Sequence, residues 1–208
     1  MARLLHPLLT AAGHTPVALV RREAYRERLE RSGAEVRLLD LEEQDVTGYA
    51  EAFEGCDAVI FAAGGGPDGS VERKRTVDLQ GSLKSIAAAQ QAGIGRFVQL
   101  SAIGVDDPPA ADAVPVWTAY VEAKRAADAA LRASGLRWTI LRPGLLTDDP
   151  PTGRIALDPA SDRGSVPRAD VAAVVAAVLD DEATVGRQWA LVGGRTPIAE
   201  AIRGALGG

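Results

Sequence analysis

Short apolar runs recur along this chain between longer segments with a helical pattern of apolar residues. The runs are apolar throughout instead of alternating with polar residues, which is typical of strands buried on both faces. Because the segments between the runs are long enough for crossover helices, the pattern predicts an α/β fold with a doubly wound parallel sheet. The predicted strands are Val17–Val20, Val36–Leu39, Ala58–Ala63, Phe97–Leu100, Trp138–Leu141 and Trp189–Val192.

The predicted helices lie between these runs, and several of them end at a glycine that suits a helix C-terminus. They are Arg3–Ala12, Arg22–Ser32, Val46–Phe53, Val71–Ala92, Val116–Ser134, Ala169–Leu179 and Pro197–Leu206. Two segments rich in Pro and Asp, Asp106–Pro115 and Asp148–Pro167, are predicted to be loops. With 208 residues, no internal repeat and no linker, the chain is expected to form a single domain over residues 1–208.

Charge and composition exclude several classes of partner. The formal net charge of -5 lacks the basic surplus that phosphate-backbone binding requires, so nucleic acid is not an expected partner. Cys56 is the only cysteine, which excludes an internal disulfide, and two histidines do not supply a zinc cluster. No apolar run approaches the roughly 20 residues that cross a bilayer. We expect a cytoplasmic protein with a small-molecule substrate and no metal, and the sequence leaves its oligomeric state open.

Tyr120 and Lys124 lie four residues apart within a predicted helix, and Ser101 directly follows the strand Phe97–Leu100. Residues at this spacing lie one turn apart on one helix face, so the Lys124 ammonium is expected to lower the pKa of the Tyr120 phenol. Such a tyrosine exchanges protons near neutral pH, and Ser101 is placed to orient a substrate carbonyl. The alternative is a coincidental spacing on a solvated helix.

Arg21 and Arg22 directly follow the strand Val17–Val20. In a Rossmann-type unit an acidic residue at such a strand end binds the ribose hydroxyls of NAD, whereas an arginine accommodates the 2'-phosphate of NADP. The sequence therefore favours NADP(H), with NAD(H) possible. The alternative is a pair of arginines at the start of a solvated helix.

Further cofactor-binding residues are predicted at other strand ends. Asp40, followed by Leu41, could hydrogen-bond an adenine amino group, although capping a turn is an equally good use for it. Pro143, between Arg142 and Gly144, could shape a nicotinamide pocket or belong to an ordinary turn. The remaining predicted cofactor-binding residues are Ala62, Ala63 and Gly64.

The stretch Gly64–Gly69 follows a strand and matches G-x-G-x-x-G, the pattern of a pyrophosphate loop. Two features argue against that role: Asp68 would place a carboxylate beside phosphates, and the polar segment Ser70–Arg75 does not suit a close-packed helix start. Two strand-helix units also precede it. We therefore predict that this glycine stretch lets the backbone approach the ribose and nicotinamide side of a cofactor.

Taken together, these motifs resemble the atypical short-chain dehydrogenase/reductase families, with NmrA-type regulators and biliverdin/flavin reductase-like enzymes as the nearest groups. The resemblance implies a strand order of 3-2-1-4-5-6-7, catalytic roles for Ser101, Tyr120 and Lys124, and a preference for NADP at Arg21. It implies an NADP(H)-dependent oxidoreductase that acts on a small carbonyl or quinone-like compound. Two alternatives stay open: a non-catalytic NmrA-like sensor of the dinucleotide, and an NAD-dependent epimerase/dehydratase-like protein. The segments that carry the resemblance are Val17–Arg22, Val36–Asp40, Cys56–Gly64, Phe97–Gly104, Tyr120–Lys124, Leu141–Gly144 and Ser165–Ala172.

This chain departs from the family at its beginning. Family members open with a strand and a G-x-x-G-x-x-G turn, and this chain opens directly on the predicted helix Arg3–Ala12. The absent strand would be central, and burial of about five apolar side chains contributes on the order of 10 kcal/mol. We therefore expect either marginal stability or direct pairing of the family's second and fourth strands. We also expect Met1 to be a misassigned start or an artificial boundary, with roughly 15 to 20 further residues in the natural product.

Overall fold

The computed structural model describes residues 2–66, 70–157 and 164–207. None of the helices in these ranges is both long and apolar enough to cross a bilayer. The helices are α1 (Ala2–Ala11), α2 (Arg26–Glu30), α3 (Val46–Ala52), α4 (Val71–Arg73), α5 (Ser82–Gln91), α6 (Pro115–Ala133), α7 (Arg168–Leu179) and α8 (Ile198–Leu206), and a π-helix (Lys74–Gly81) joins α4 to α5. The strands are β1 (Val17–Val20), β2 (Glu35–Leu38), β3 (Ala58–Phe61), β4 (Arg96–Leu100), β5 (Arg137–Pro143), β6 (Leu145–Thr147), β7 (Arg154–Leu157), β8 (Ser165–Pro167), β9 (Arg187–Gly193) and β10 (Thr196–Pro197).

The described strands form one six-stranded sheet and two separate pairs. The large sheet has the order β10-β7-β9-β5-β4-β3, in which β3, β4, β5 and β9 are parallel neighbours. β7 runs antiparallel to both β9 and β10. The parallel pairs β1-β2 and β6-β8 lie apart from this sheet. The predicted α/β fold of Rossmann type is confirmed, with an antiparallel edge that the sequence patterns did not indicate.

The large sheet is covered on both faces, which explains the continuous apolar runs in the sequence. All five residues of β4 are buried. Val98 and Leu100 belong to the core cluster that contains α1 and α7, whereas Phe97 belongs to the cluster that contains α3 and α5. Because successive side chains of a strand point to opposite faces, a strand between two helical layers needs apolar residues at both odd and even positions.

A cavity of about 820 Å³ separates β1 from β3. Within the described residues β1 is paired with β2 and β3 with β4, so the expected alternative of direct pairing between β1 and β3 is wrong. Each strand pair is held in place by helices instead. Leu29 packs on β1 and β2 in a small core of their own, while Leu5 and Leu9 of α1 pack with α7 in the core of the large sheet.

The structure differs from the predicted elements at several places, and it adds the short strands β6 and β10, which the sequence patterns did not predict. The predicted helix Arg22–Ser32 begins with a 3-10 turn at Glu23–Tyr25, so α2 starts only at Arg26. The predicted helix Val71–Ala92 contains the π-helix. The predicted loop Asp148–Pro167 contains β7 and β8, because pairing with β9 and full burial of Ile155 stabilise a strand whose own sequence signal is weak.

Arg96, at the start of β4, fixes the end of α7 through a buried hydrogen-bond network. Its guanidinium donates to the carbonyl oxygens of Val178 (2.6 Å) and Leu179 (3.1 Å), which end that helix. It also donates to the hydroxyl oxygens of Thr139 (2.9 Å) and Thr184 (3.2 Å). The side chain is only 6% exposed, so these acceptors have little access to water. Removal of the guanidinium would leave them without a strong donor.

We expect Arg96→Met to lower the free energy of unfolding by about 3 kcal/mol, because buried acceptors would lose their charged donor. Urea unfolding followed by circular dichroism measures the change. Arg132→Met is the matched control, since Arg132 is exposed and donates only at the surface to Gln188. Its expected effect is below about 0.5 kcal/mol, and equal losses in the two variants would contradict the assignment.

Candidate active site

The carboxyl ends of the parallel strands meet at one edge of the large sheet. Ser101 follows β4, and Pro143 ends β5. Ala62 and Gly64 follow β3 and lead into a loop that packs against the π-helix. In open α/β sheets ligands bind outside this edge, so these residues define the candidate site.

Helix α6 brings Tyr120 and Lys124 to this edge, one turn apart as the sequence predicted. The Lys124 ammonium lies 5.9 Å from the centre of the Tyr120 ring. It donates a hydrogen bond to the carbonyl oxygen of Leu100 (3.2 Å), which directly precedes Ser101. This hydrogen bond therefore joins α6 to the carboxyl end of β4. Its side chain is almost fully buried, so its charge needs nearby compensation.

Asp78 of the π-helix supplies that compensation. Its Oδ1 lies 3.3 Å from the Lys124 ammonium, and its Oδ2 accepts a hydrogen bond from the backbone N–H of Gly65 (2.9 Å). The glycine loop can approach this closely only without side chains. A Cβ on Gly65 would lie 2.9 Å from the backbone oxygen of Arg73, and one on Gly64 would lie 3.0 Å from Asp78 Oδ1.

Lys74 places a second buried cation beside the tyrosine. Its ammonium lies 5.1 Å from the centre of the Tyr120 ring and donates to the carbonyl oxygen of Gly66 (2.8 Å). Gly66 has a φ of +81°, a left-handed conformation that favours glycine. The π-helix widens the helix at Lys74 and Asp78, which is a frequent feature of functional sites.

Ser101 is part of a buried polar network under the tyrosine. Its hydroxyl donates to Asp128 Oδ2 (2.8 Å), and the same carboxylate accepts from Gln99 (2.7 Å) and Arg142 (2.9 Å). Arg142 also donates to Asp106 on the loop after β4 (2.5 Å). The Ser101 proton is thus directed toward Asp128 in this structure.

The pKa of Tyr120 moves opposite to the sequence expectation. Burial, together with the negative charges of Asp78 and Asp128, raises the pKa of Tyr120 to about 12. The prediction that Lys124 lowers the pKa of Tyr120 is therefore wrong, because desolvation disfavours the phenolate and two carboxylates oppose the effect of the ammonium. Burial also lowers the pKa of Lys124, against the opposing effect of Asp78.

The predicted cofactor residues of the first strand pair lie at its carboxyl end. Arg21 and Arg22 are exposed directly after β1. Asp40 accepts a hydrogen bond from the N–H of Glu42 (3.0 Å), which is the turn-capping geometry that the sequence left as an alternative. The carbonyl oxygen of Leu41 accepts from the ammonium of Lys84 (2.8 Å), which ties this strand end to α5.

The other predicted cofactor residues lie at the edge of the large sheet. Ala62 and Ala63 are half-buried, and Gly64 is exposed. Pro143 is buried, and its carbonyl oxygen accepts from the N–H of Ile103 (3.1 Å). Asp68, which the sequence used against a pyrophosphate role for Gly64–Gly69, lies outside the described residues.

The chemistry of this edge suits a nicotinamide dinucleotide. Exposed guanidinium groups at Arg21 and Arg22 suit a phosphate.

Sequence reasoning missed the groups that surround the Tyr-Lys pair: Lys74, Asp78 and Asp128. A signal for them was present. Asp128 lies four residues after Lys124, and Asp78 lies four residues after Lys74, which is the spacing of helical ion pairs. Neither Lys124 with Asp128 nor Lys74 with Asp78 forms an ion pair along the surface of its own helix. Asp78 reaches the lysine of the other helix, which the sequence could not indicate.

The sequence and the fold of this chain are similar to those of known proteins. A family model described as NAD(P)H-binding matches residues 1–182. The chain is 41% identical over 190 residues to the uncharacterized sugar epimerase YhfK of Bacillus subtilis (strain 168), covering 91% of this chain and 87% of that protein. A Bacillus halodurans structure assigned as an NAD-dependent epimerase/dehydratase matches with a TM-score of 0.90 and 37% identity over 98% of this chain and 94% of its own. The oxidoreductase ylbE of Lactococcus lactis matches with a TM-score of 0.79 and 26% identity, over 99% and 93%.

We expect Asp78→Asn to lower the pKa of Lys124 further, because the variant removes the carboxylate that opposes the effect of burial. NMR titration of lysine-labelled protein measures it, and with only Lys74, Lys84 and Lys124 in the chain the signals can be assigned by substitution. Asp180→Asn is the control, since Asp180 is exposed and pairs with His14. A Lys124 pKa that does not change in Asp78→Asn would refute the ion pair.

Proposed function

The chain belongs to the NAD(P)H-binding family, and on that premise we propose that it is an NADP(H)-dependent oxidoreductase that reduces a small carbonyl or quinone-like compound. The observation that carries the proposal is the position of Tyr120 against two buried ammonium groups at the carboxyl ends of the parallel strands. Burial of two cations beside one tyrosine costs free energy, and buried charged groups that meet in a cleft are typical of functional sites.

Tyr120 is the proton donor in this proposal. A pKa of about 12 keeps the phenol protonated at neutral pH, so the donor is available for the reductive direction. A nicotinamide cofactor, when bound, would supply the hydride for the carbonyl carbon. The Tyr120 proton completes the hydroxyl on the carbonyl oxygen. The ammonium groups of Lys124 and Lys74 stabilise the phenolate until solvent returns a proton to it.

Lys124 and Ser101 have the supporting roles. Lys124 holds the nicotinamide ribose in addition to stabilising the phenolate. Ser101 orients the substrate carbonyl, which requires its hydroxyl to turn from Asp128 toward the substrate. Asp128 keeps its hydrogen bonds from Gln99 and Arg142 when that happens, so the exchange costs little.

Trp117 favours a planar conjugated substrate. The centre of its ring lies 5.5 Å from that of Tyr120 in a tilted arrangement with an interplanar angle of 33°, and the side chain is 46% exposed. An exposed aromatic face beside the proton donor suits a quinone-like ring better than a polar sugar. The word epimerase appears in the names of relatives of this chain. We propose reduction for this chain because a protonated phenol can donate the proton that reduction of a carbonyl requires.

We expect Tyr120→Phe to reduce turnover at least about a thousandfold while NADPH affinity changes less than about twofold, since the ring stays and only the proton is lost. A panel of quinones and small carbonyls, followed by NADPH absorbance, identifies a substrate and measures turnover. NADPH affinity is measured by fluorescence titration. Tyr25→Phe is the matched control, because Tyr25 lies before α2, away from α6. Unchanged turnover in Tyr120→Phe would refute the proton-donor role.

We expect the double variant Arg21→Ala/Arg22→Ala to weaken NADPH binding by about ten- to a hundredfold, because it removes charge-assisted hydrogen bonds to the 2'-phosphate. NADH binding should change by no more than about twofold. Isothermal titration with both cofactors measures the difference. Arg31→Ala is the control, since Arg31 directly follows α2, is exposed and pairs with Glu27 of that helix. Equal losses for NADPH and NADH would contradict the predicted preference for NADP.

A second candidate function is a non-catalytic NmrA-like sensor of NADP(H). It is favoured by the Ser101 hydroxyl, which is engaged by Asp128, and by the raised pKa of Tyr120, which makes the phenol a weak acid. The substrate panel separates the two functions. Tight NADPH binding without turnover on any quinone or carbonyl supports the sensor, and turnover that depends on Tyr120 supports the enzyme.

A further inference from the structure

The buried carboxylate of Asp128 fixes the orientation of the Ser101 hydroxyl. We propose that Asp128 is a positioning residue that holds the Ser101 proton inward, so that the candidate site binds the hydroxyl group of an aromatic alcohol in preference to the matching carbonyl. The inference rests on the proposed function, because it names the member of the substrate pair that the site holds more tightly. It is carried by the direction of the hydrogen bonds around one buried carboxylate.

The Asp128 carboxylate can only accept hydrogen bonds. The guanidinium of Arg142 contacts its Oδ2 through Nε (2.9 Å) and through a terminal nitrogen (2.8 Å). This contact is a charge-assisted pair in which the carboxylate is ionised. An ionised carboxylate has no proton to donate, so every group that is bonded to it must be the donor.

Gln99 occupies the other oxygen of this carboxylate. Its amide N–H donates to Asp128 Oδ1 (2.7 Å), and the Ser82 hydroxyl donates to Gln99 Oε1 (2.6 Å) on the far side. All three side chains are buried. Reversal of the Gln99 amide would place its oxygen against the carboxylate, and two buried acceptors would then face each other without a proton between them. The direction of these bonds is therefore fixed.

Ser101 has one orientation that fits this network. Its hydroxyl donates to Asp128 Oδ2 (2.8 Å), and its backbone N–H donates to the carbonyl oxygen of Leu141 (2.8 Å). Because the hydroxyl proton points to Asp128, the lone pairs of Oγ are what Ser101 can offer to a ligand. Toward the candidate site, Ser101 is a hydrogen-bond acceptor.

Tyr120 offers the complementary group. Its phenol is protonated at neutral pH, because burial and nearby carboxylates raise the pKa of Tyr120 to about 12. The Lys124 ammonium lies beside both groups, at 5.9 Å from the centre of the Tyr120 ring and 3.2 Å from the carbonyl oxygen of Leu100, which precedes Ser101. An alcohol oxygen can accept from Tyr120 and donate to Ser101 at once. A carbonyl oxygen only accepts, so it bonds to Ser101 only after that hydroxyl turns from Asp128.

The test compares α-tetralone with each enantiomer of α-tetralol, an aromatic ketone and alcohol with the same carbon skeleton. Isothermal titration is run with a tetrahydronicotinamide analogue of NADPH, which transfers no hydride, so neither compound reacts. We expect the better-bound enantiomer of the alcohol to bind at least about threefold more tightly than the ketone, which is the net effect of one further hydrogen bond. Equal binding, or tighter binding of the ketone, would overturn the proposal.

We expect Asp128→Asn to bring the ratio of the two dissociation constants to about one, because a neutral amide holds the Ser101 proton less strongly than a carboxylate. A purely structural role of Asp128 would weaken both ligands alike, so an unchanged ratio would overturn its positioning role. Asp106→Asn is the matched control, since Asp106 is the exposed carboxylate that also accepts from Arg142. The ratio in this control should stay that of the unsubstituted chain.

Ser101→Ala tests the inference independently, because it leaves the contact between Asp128 and Arg142 in place. It decides the question if Asp128→Asn folds poorly, which circular dichroism shows. We expect a ratio of about one in Ser101→Ala, and no further change when the two substitutions are combined, since both act through one hydroxyl. An alcohol preference that persists in Ser101→Ala would overturn the proposal.

NADPH oxidation on the substrate panel separates this inference from the proposed function. Turnover that depends on Tyr120, together with equal binding of the alcohol and the ketone, would overturn the role of Asp128 and leave the oxidoreductase in place. An alcohol preference that depends on Asp128, without turnover on the panel, would support the role of Asp128 and refute the oxidoreductase.

Discussion

The buried ammonium of Lys124 organises the candidate site. A charge in that position is tolerated only because Asp78 lies 3.3 Å away and the end of β4 accepts its hydrogen bond. These two contacts join α6, the π-helix and the central strand. The glycine loop then closes over Asp78 through Gly65.

The same charges explain the chemistry expected of Tyr120. Two ammonium groups near its ring favour the phenolate, whereas burial and two carboxylates disfavour it. The net effect is a protonated phenol with cations in place to stabilise its conjugate base. Such a balance suits donation to a developing alkoxide, because stabilisation is greatest when the charge appears. In the proposed function, Ser101 orients the substrate carbonyl and Trp117 offers an aromatic face beside the donor.

Much of the fold could be predicted from the sequence. β1 has its predicted bounds, and α6 differs by one residue at each end, because long or strongly apolar patterns leave few alternatives. β7 could not be predicted, because its stability comes from pairing with β9. The π-helix could not be predicted, since it reflects how Lys74 and Asp78 are held. The sequence offered direct pairing of β1 and β3 as one alternative, and only the structure decided that, within the described residues, these two strands do not pair.

The sequence by itself determined that the strands are buried on both faces and that Tyr120 and Lys124 share one side of a helix. Both follow from local periodicity, which a chain carries in its order of residues. Only the tertiary structure decided that Asp78 pairs with Lys124, that Ser101 donates to Asp128 and that burial raises the pKa of Tyr120. Those properties depend on distances between residues far apart in the chain and on the exclusion of water, and neither quantity exists before the elements pack.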